Sequence, residues 1–246
     1  MILKKLGKVV LLGSSILMAA QVCGIGNIGE AYKMNVVYAA ENEPSQDPNY
    51  KQYKEKSIAL VNDFFKKNID KDAESTVFNL RIREKKEVNE GGKKLVEELE
   101  KEGKVKEGEL KSKEITYDEV ICYVSTHPVK EGGAPDYVVM FNGDTKEPIQ
   151  IDQAITSAES DKMITDGSAK KVTITTQEKE RYKGLIEKYK LGGIITAECT
   201  NERNVLMPML DFKDKENPNK TVEILIDPAT KELHSLNVYD SSVKTM

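Results

Sequence analysis

Beyond the first forty residues of this 246-residue sequence, four side chains have the types needed for thiol or zinc chemistry: Cys122, His127, Cys199 and His234. A thiol nucleophile needs an imidazole in contact with it to take its proton. Cys122 and His127 are five residues apart. On one regular strand that odd separation points them to opposite faces, and Pro128 ends such a strand. Cys199 and His234 both lie in the second half, where a sheet can bring distant residues together. An enzyme with Cys199 as nucleophile and His234 as base is therefore the alternative reading of function. The commoner arrangement is a buried Cys199 and a surface or hairpin His234. Two histidines and two separated thiols make no local ligand cluster for zinc.

Other chemistry has weaker footing. The sequence has no His-Glu-x-x-His, no Walker loop, no Gly-x-Ser-x-Gly and no paired Cys-x-x-Cys. Ser168 with Lys171 and Ser241 with Lys244 have Ser-x-x-Lys spacing, but they sit in polar stretches without a buried helix start to depress a lysine pKa. Asp70, Asp72 and Glu74 alternate as in a calcium loop. Ser75 stands where an EF-hand needs glycine, and Arg81 where it needs its last glutamate. Asp211, Asp214, Glu216, Asn217 and Asn219 form a second oxygen-rich loop, interrupted by Lys213 and Lys215. Both read as solvated loops. No catalytic, metal or cofactor-binding residue is assigned, and no cofactor is expected.

The elements that must position these residues fall into two halves. Tyr53, Ile58, Val61, Phe64 and Phe65 recur at near-helical spacing over 50–67. From Thr76 the period becomes two, with Phe78, Leu80 and Ile82 alternating with Asn79, Arg81 and Arg83. Residues 84–114 are rich in Lys, Glu and Gly and read as a solvated insertion with one short helix between Gly92 and Gly103. Strands are expected at 115–125, 137–142 and 148–152, followed by a polar connection, 156–171. Thr175 and Glu178 then form a capping-box signal, and Tyr182, Leu185, Ile186 and Tyr189 give a helix ended by Gly192 and Gly193. Four strands follow at 194–200, 204–212, 221–227 and 232–239, with Asn201 expected in a turn. Thr145-Lys146-Glu147 and Thr230-Lys231-Glu232 lie 85 residues apart at the same point of a strand–turn–strand, which suggests an internal repeat.

The start of the chain is of a different kind. Lys4, Lys5 and Lys8 precede an uncharged run from Val9 to Gly29, and Val37-Tyr38-Ala39-Ala40 supplies small residues for cleavage. This is the pattern of a secretory signal over 1–40, joined to the first helix by a polar tether, 41–49. The competing readings are a retained anchor and a lipoprotein at Cys23, for which Val22 is a poor preceding residue. Without four lysines and one glutamate of that segment, the chain keeps 33 basic and 40 acidic residues, a formal net charge of −7. Mixed charge of this kind argues against a nucleic-acid partner. A membrane is a partner only if the first segment is retained. Cys122 and Cys199 leave two readings open, small buried hydrophobes or a mutual disulfide in an oxidising exterior.

At the second hairpin the sequence resembles the PepSY and YcdB-type repeats of exported bacterial proteins. Their mark is an apolar strand, an Asp-x-x-Thr-Gly-Glu-like turn and a second apolar strand. Ile224-Leu225-Ile226-Asp227-Pro228-Ala229-Thr230-Lys231-Glu232-Leu233 matches, with Lys231 where the family usually has glycine. The first copy departs further, with Asn142 in place of the aspartate and Pro148 after the glutamate. The resemblance implies a helix on a curved antiparallel sheet and a role in binding or restraining other proteins, peptidases among them. The expected fold is thus α+β, two similar units over 50–155 and 172–246, each a helix packed on a four-stranded antiparallel sheet (cystatin/PepSY-like). The expected function is an exported, non-enzymatic binding or inhibitory module of the bacterial cell envelope or secretome. Its partner would be a peptidase or an envelope protein. A membrane-anchored structural envelope protein is a third reading.

Overall fold

The computed structural model of the chain describes residues 48–103, 105–108, 114–129, 134–154, 157–204 and 207–240, with the backbone of 10–11 and 111–112. The exported-start expectation concerns residues 1–40 and so lies outside the described residues, apart from that two-residue piece. Val10 and Leu11 pair with Lys111 and Ser112 in a short parallel bridge separate from the main sheet.

Among the described residues the main sheet has eight strands. In chain order they are β1 (Val77–Arg83), β2 (Glu119–Ser125), β3 (Tyr137–Asn142), β4 (Pro148–Gln153), β5 (Ala197–Asn204), β6 (Pro208–Asp214), β7 (Lys220–Ile226) and β8 (Leu233–Asp240). Their spatial order is β1-β2-β3-β4-β8-β7-β6-β5, and every neighbouring pair is antiparallel. Four α-helices of the described residues accompany the sheet: α1 (Tyr50–Phe65), α2 (Lys85–Lys101), α3 (Ala158–Thr165) and α4 (Thr176–Tyr189).

This order overturns the expectation of two units, each a helix on its own four-stranded sheet. The last strands of the two meanders, β4 and β8, pair with each other, with Asp152 opposite Ser235, Ile151 opposite Leu236 and Gln150 opposite Asn237. Left as edges, both strands would present rows of unpaired N–H and C=O groups. Pairing them removes two edges at once. The apolar face of the joint sheet is also continuous. One core cluster contains Phe141 and Ile151 from the first half with Leu236, Ile224, Tyr182 and Ile186 from the second.

Helices α1 and α4 both pack into that cluster and touch each other. The α1 side chains Tyr53, Ile58, Val61, Phe64 and Phe65 are buried, as their spacing predicts, and Leu60 is buried with them. Arg181 of α4 donates to the carbonyls of Asp63 and Phe64, at 2.6 and 2.8 Å, satisfying groups that the end of α1 leaves open. Lys188 and Tyr189 meet the Asp63 carboxylate at 2.5 and 2.6 Å. The Lys188 ammonium, then the Tyr189 hydroxyl, hold that carboxyl below its usual range. Thr175 accepts from the Glu178 N–H at 3.2 Å while the Glu178 carboxylate accepts from the Thr175 N–H at 2.9 Å, the expected capping box. Lys190, left-handed at φ 49°, ends α4 before the two glycines are reached.

Two stretches hold more helix than their sequence pattern suggests. α2 runs from Lys85 straight through Gly91 and Gly92, burying Val88, Gly92 and Leu99 on one side. Asn89 of α2 clasps the backbone of Ile115, accepting from its N–H and donating to its C=O, both at 2.9 Å. The stretch 156–171 holds α3 and a 3-10 turn, Ser168–Lys171. Asn201 lies inside β5, beside a bulge between Cys199 and Asn201, not in a turn.

The two hairpins that share Thr-Lys-Glu are built alike. Asn142 Oδ1 accepts from the N–H groups of Asp144 and Thr145, at 2.9 and 3.0 Å. Asp227 Oδ1 accepts from those of Ala229 and Thr230, at 2.9 and 2.8 Å. Thr145 and Thr230 each accept from the N–H two residues on. Lys146 and Lys231 both take left-handed backbone, at φ 58° and 59°. Glycine adopts that conformation without strain, and a lysine there carries a cost. Each hairpin then has a bulge just after the turn, with Ile149 left over in β4 and His234 in β8.

Candidate functional site

The register separates the residues singled out for thiol chemistry. Cys199 on edge strand β5 stands opposite Phe212, which is followed across the sheet by Val222 and Val238. His234 lies on β8 four residues before Val238. Three strand intervals across and four residues along put thiol and ring roughly 20 Å apart. Cys199 donates weakly to the Asn201 carbonyl at 3.8 Å. Burial pushes its thiol up, with Lys179 next and opposing. That is the reverse of an activated nucleophile. His234 is not at the surface: it is 4% exposed at its bulge. Cys122 faces the core while His127 is exposed and meets the Asp136 carboxylate at 3.4 Å.

Neither Cys122 nor Cys199 is in a disulfide. Cys122 on β2 and Cys199 on β5 are six strand intervals apart, about 29 Å, against the ~6 Å between Cα atoms that a disulfide needs. Iodoacetamide should therefore label Cys199 in the native full-length chain and reach Cys122 only after unfolding, as read by peptide mass mapping. Equal native labelling of both would mean that β2 is not in the core.

The acidic loops hold themselves together with backbone groups. Asp70 Oδ1 accepts from the Asp72 N–H, and the Asp70 carbonyl accepts from Thr76. Asp214 accepts from the N–H groups of Glu216, Ile195 and Asn217, which keep its carboxyl below the usual range. Among the described residues no group of three or more His, Cys, Asp or Glu is placed to hold a metal ion. Ser168 is engaged away from Lys171: its N–H donates to Asp166 at 2.8 Å and its hydroxyl to the Met163 carbonyl at 3.5 Å. The Ser241 and Lys244 pair lies outside the described residues.

The face of the sheet opposite α1 and α4 has an unusual composition. One register row crosses all eight strands as Arg81, Ile121, Met140, Gln150, Asn237, Glu223, Asp211 and Asn201. Arg203 bridges Asp211 and Glu223, each at 2.8 Å, and Tyr239 donates to Glu223 at 3.0 Å. Burial raises the Glu223 carboxyl, with Tyr239 and then Arg203 pulling it back. At the joint of the halves, Gln150 donates to the Asp152 carboxylate. The sheet ends in two edge strands, β1 and β5, and among the described residues neither has a strand on its outer side. The two exposed large hydrophobic residues among those described both lie at these edges. Ile82 in β1 is 49% exposed, and Ile195, two residues before β5, is 66% exposed.

No family model, curated protein or solved structure matches this chain. The edges carry no motif, so motif reading passes over them. Their one signal in the sequence is an isoleucine in a strand whose neighbouring residues are arginines.

The two edges are not equivalent. β5 is broken by its bulge and bears Glu198, Glu202 and Arg203, devices that blunt an edge against pairing. β1 pairs with β2 at every residue from Val77 to Arg83 without interruption, and of its backbone groups the Phe78 carbonyl also accepts from the Tyr50 hydroxyl at 3.0 Å. Leu80 and Ile82 lie on its apolar face, and Arg81 and Arg83 on the other. Both arginines are already engaged, Arg81 with Glu87 at 2.7 Å and Arg83 with the buried Glu119.

Proposed function

We propose that this chain is an exported, non-enzymatic binding module of the bacterial envelope or secretome, and that it takes an extended protein segment along the edge of β1. The exposed Ile82 on an unbroken, seven-residue edge strand carries this reading. An added strand gains main-chain hydrogen bonds from such an edge, and alternate side chains supply selectivity. Leu80 and Ile82 offer apolar contact on one side of the added strand. A partner of the peptidase or envelope class fits this mode. The like-built hairpins support kinship with PepSY and YcdB-type repeats and an origin by internal duplication. The signal pattern over 1–40 supports the location.

A lysine at an edge position facing inward is a known obstacle to strand addition. Ile82→Lys should thus weaken capture of the partner by tenfold or more. Because Ile82 is half exposed, stability should change by only about 0.5 kcal/mol. Immobilised wild-type and variant chains exposed to the host's envelope fraction provide the comparison. Undiminished capture by the variant would sink the β1 reading. A catalytic turnover abolished by one substitution would sink the non-enzymatic one.

A further inference from the structure

The two hairpins are the same turn with the same bulge, yet at two matched positions, Asn142 against Asp227 and Ile149 against His234, only the second carries an ionisable residue. Asn142 and Asp227 hold the turn through the same bonds. Ile149 and His234 occupy the same bulge. Ile149 packs on an apolar cluster of Ile121, Tyr123, Val138 and Met140, so an apolar residue satisfies this bulge. A histidine there has one property that isoleucine lacks: it takes up a proton near neutral pH.

Helix α3 is tied to this same hairpin, and its Asp161 is one of the two charged groups that act on the His234 ring. Ser157 caps the helix, accepting from the Ser160 N–H at 3.1 Å. Ser160, itself buried, donates to Asp227 Oδ1 at 2.6 Å and so ties the start of α3 to the hairpin turn. Further along, Ile164 packs on Met207, Met209 and Leu225. Nδ1 of His234 is buried and makes no hydrogen bond in this closed arrangement.

We propose that α3 is an acid-released strap: protonation of His234 opens α3 from the hairpin and uncovers Met207, Met209 and Leu225. The charged groups facing the ring are Asp227 from the β7–β8 turn and Asp161 from α3. On β4, Asp152 stands opposite the neighbouring Ser235. Burial holds the ring's affinity for a proton below its ordinary value, and Asp227, then Asp161, offset this only in part. The sign follows by linkage. The open form binds the proton at higher pH than the closed form, so closure is at full strength above the ordinary histidine range and is lost as pH falls through it. Nδ1 is buried without a hydrogen-bond partner, so a proton taken up there is held in the closed form without an acceptor of its own.

Hydrogen–deuterium exchange of the full-length chain, followed on peptides covering 158–165 and corrected for intrinsic exchange, reads the opening directly. Between pH 7.5 and 5.5 exchange in α3 should rise by up to about tenfold, the most that one titrating histidine supplies over this interval. Peptides from α1 and α4 should stay unchanged. In His234→Ile, which repeats the residue of the first bulge, the rise should vanish. His234→Gln, which keeps the polar shape without titrating, should behave the same way if the isoleucine variant does not fold. An α3 that exchanges equally at both pH values in the wild type overturns the proposal. So does a rise of the same size in either variant.

Discussion

Leu236→Ala should destabilise the protein by about 2–5 kcal/mol, and the chain should still unfold in one transition. Leu236 is fully buried in the core cluster and stands opposite Ile151 across the joint of the two halves. Deleting such a side chain loses its transfer free energy and leaves a cavity that closes only in part. The number of transitions carries more information than the size of the loss. If the halves share one sheet and one core, the cavity weakens both, and urea unfolding followed by circular dichroism and by tyrosine fluorescence should coincide. The contacts between α1 and α4 through Asp63, Arg181, Lys188 and Tyr189 couple the halves a second time. A variant that unfolds in two steps, with α1 and its strands surviving the first, would mean that β4–β8 pairing is not what unites the fold.

Asp227→Ala should cost about 3 kcal/mol, whereas Asp227→Asn should cost about 1 kcal/mol or less. One carboxylate oxygen accepts from the N–H groups of Ala229 and Thr230 and from the Ser160 hydroxyl. An intramolecular hydrogen bond contributes about 1 kcal/mol net, and the loss of three here leaves donors in a mostly buried place. Alanine loses all three bonds. Asparagine keeps an acceptor at the same atom, and the first hairpin already runs on Asn142 with its turn intact. Thermal or urea denaturation of the two variants checks the difference. Equal losses would mean that the negative charge matters more than the acceptor geometry.

Much of the secondary structure is legible because it depends on short-range patterns. The α1 stripe of Tyr53, Ile58, Val61, Phe64 and Phe65, the Thr175–Glu178 box and the period-two strands all report local preferences that the fold keeps. The joining of the sheets is not legible. Gln150, Asp152, Ser235 and Asn237 alternate with apolar residues as a solvent-facing row does, yet all four are buried. Nothing in a linear pattern shows that two polar rows far apart in the chain will be placed opposite each other. α2 reads as shorter than it is because Gly91 and Gly92 resemble a break, although a Cβ at Gly91 would meet nothing within 4 Å and the helix passes through. α3 escapes a sequence reading because its cap is Ser157 with a serine, not a glutamate, three residues on.

The candidate site is less legible still. His234 alternates with Leu233 as a surface residue would, and neither the bulge nor its burial, at 4% exposed, shows in the linear pattern. Cys199 and His234 are in the same half of the chain, but the strand order puts two other strands between theirs. Ile82 is, as its alternation implies, part of a half-buried strand. Its exposure comes from the strand being outermost, a property of the whole sheet's order and of no local pattern.

The most direct measurement of edge binding is site-specific photo-cross-linking in the host, with a benzophenone side chain placed at position 82 and, as a control, at exposed position 180 on α4. Strand addition along β1 predicts a discrete protein adduct from position 82, absent from position 180, whose cross-linked peptide is extended and alternately apolar. Adducts at both positions, or at neither while a partner is still captured, would contradict binding at the β1 edge.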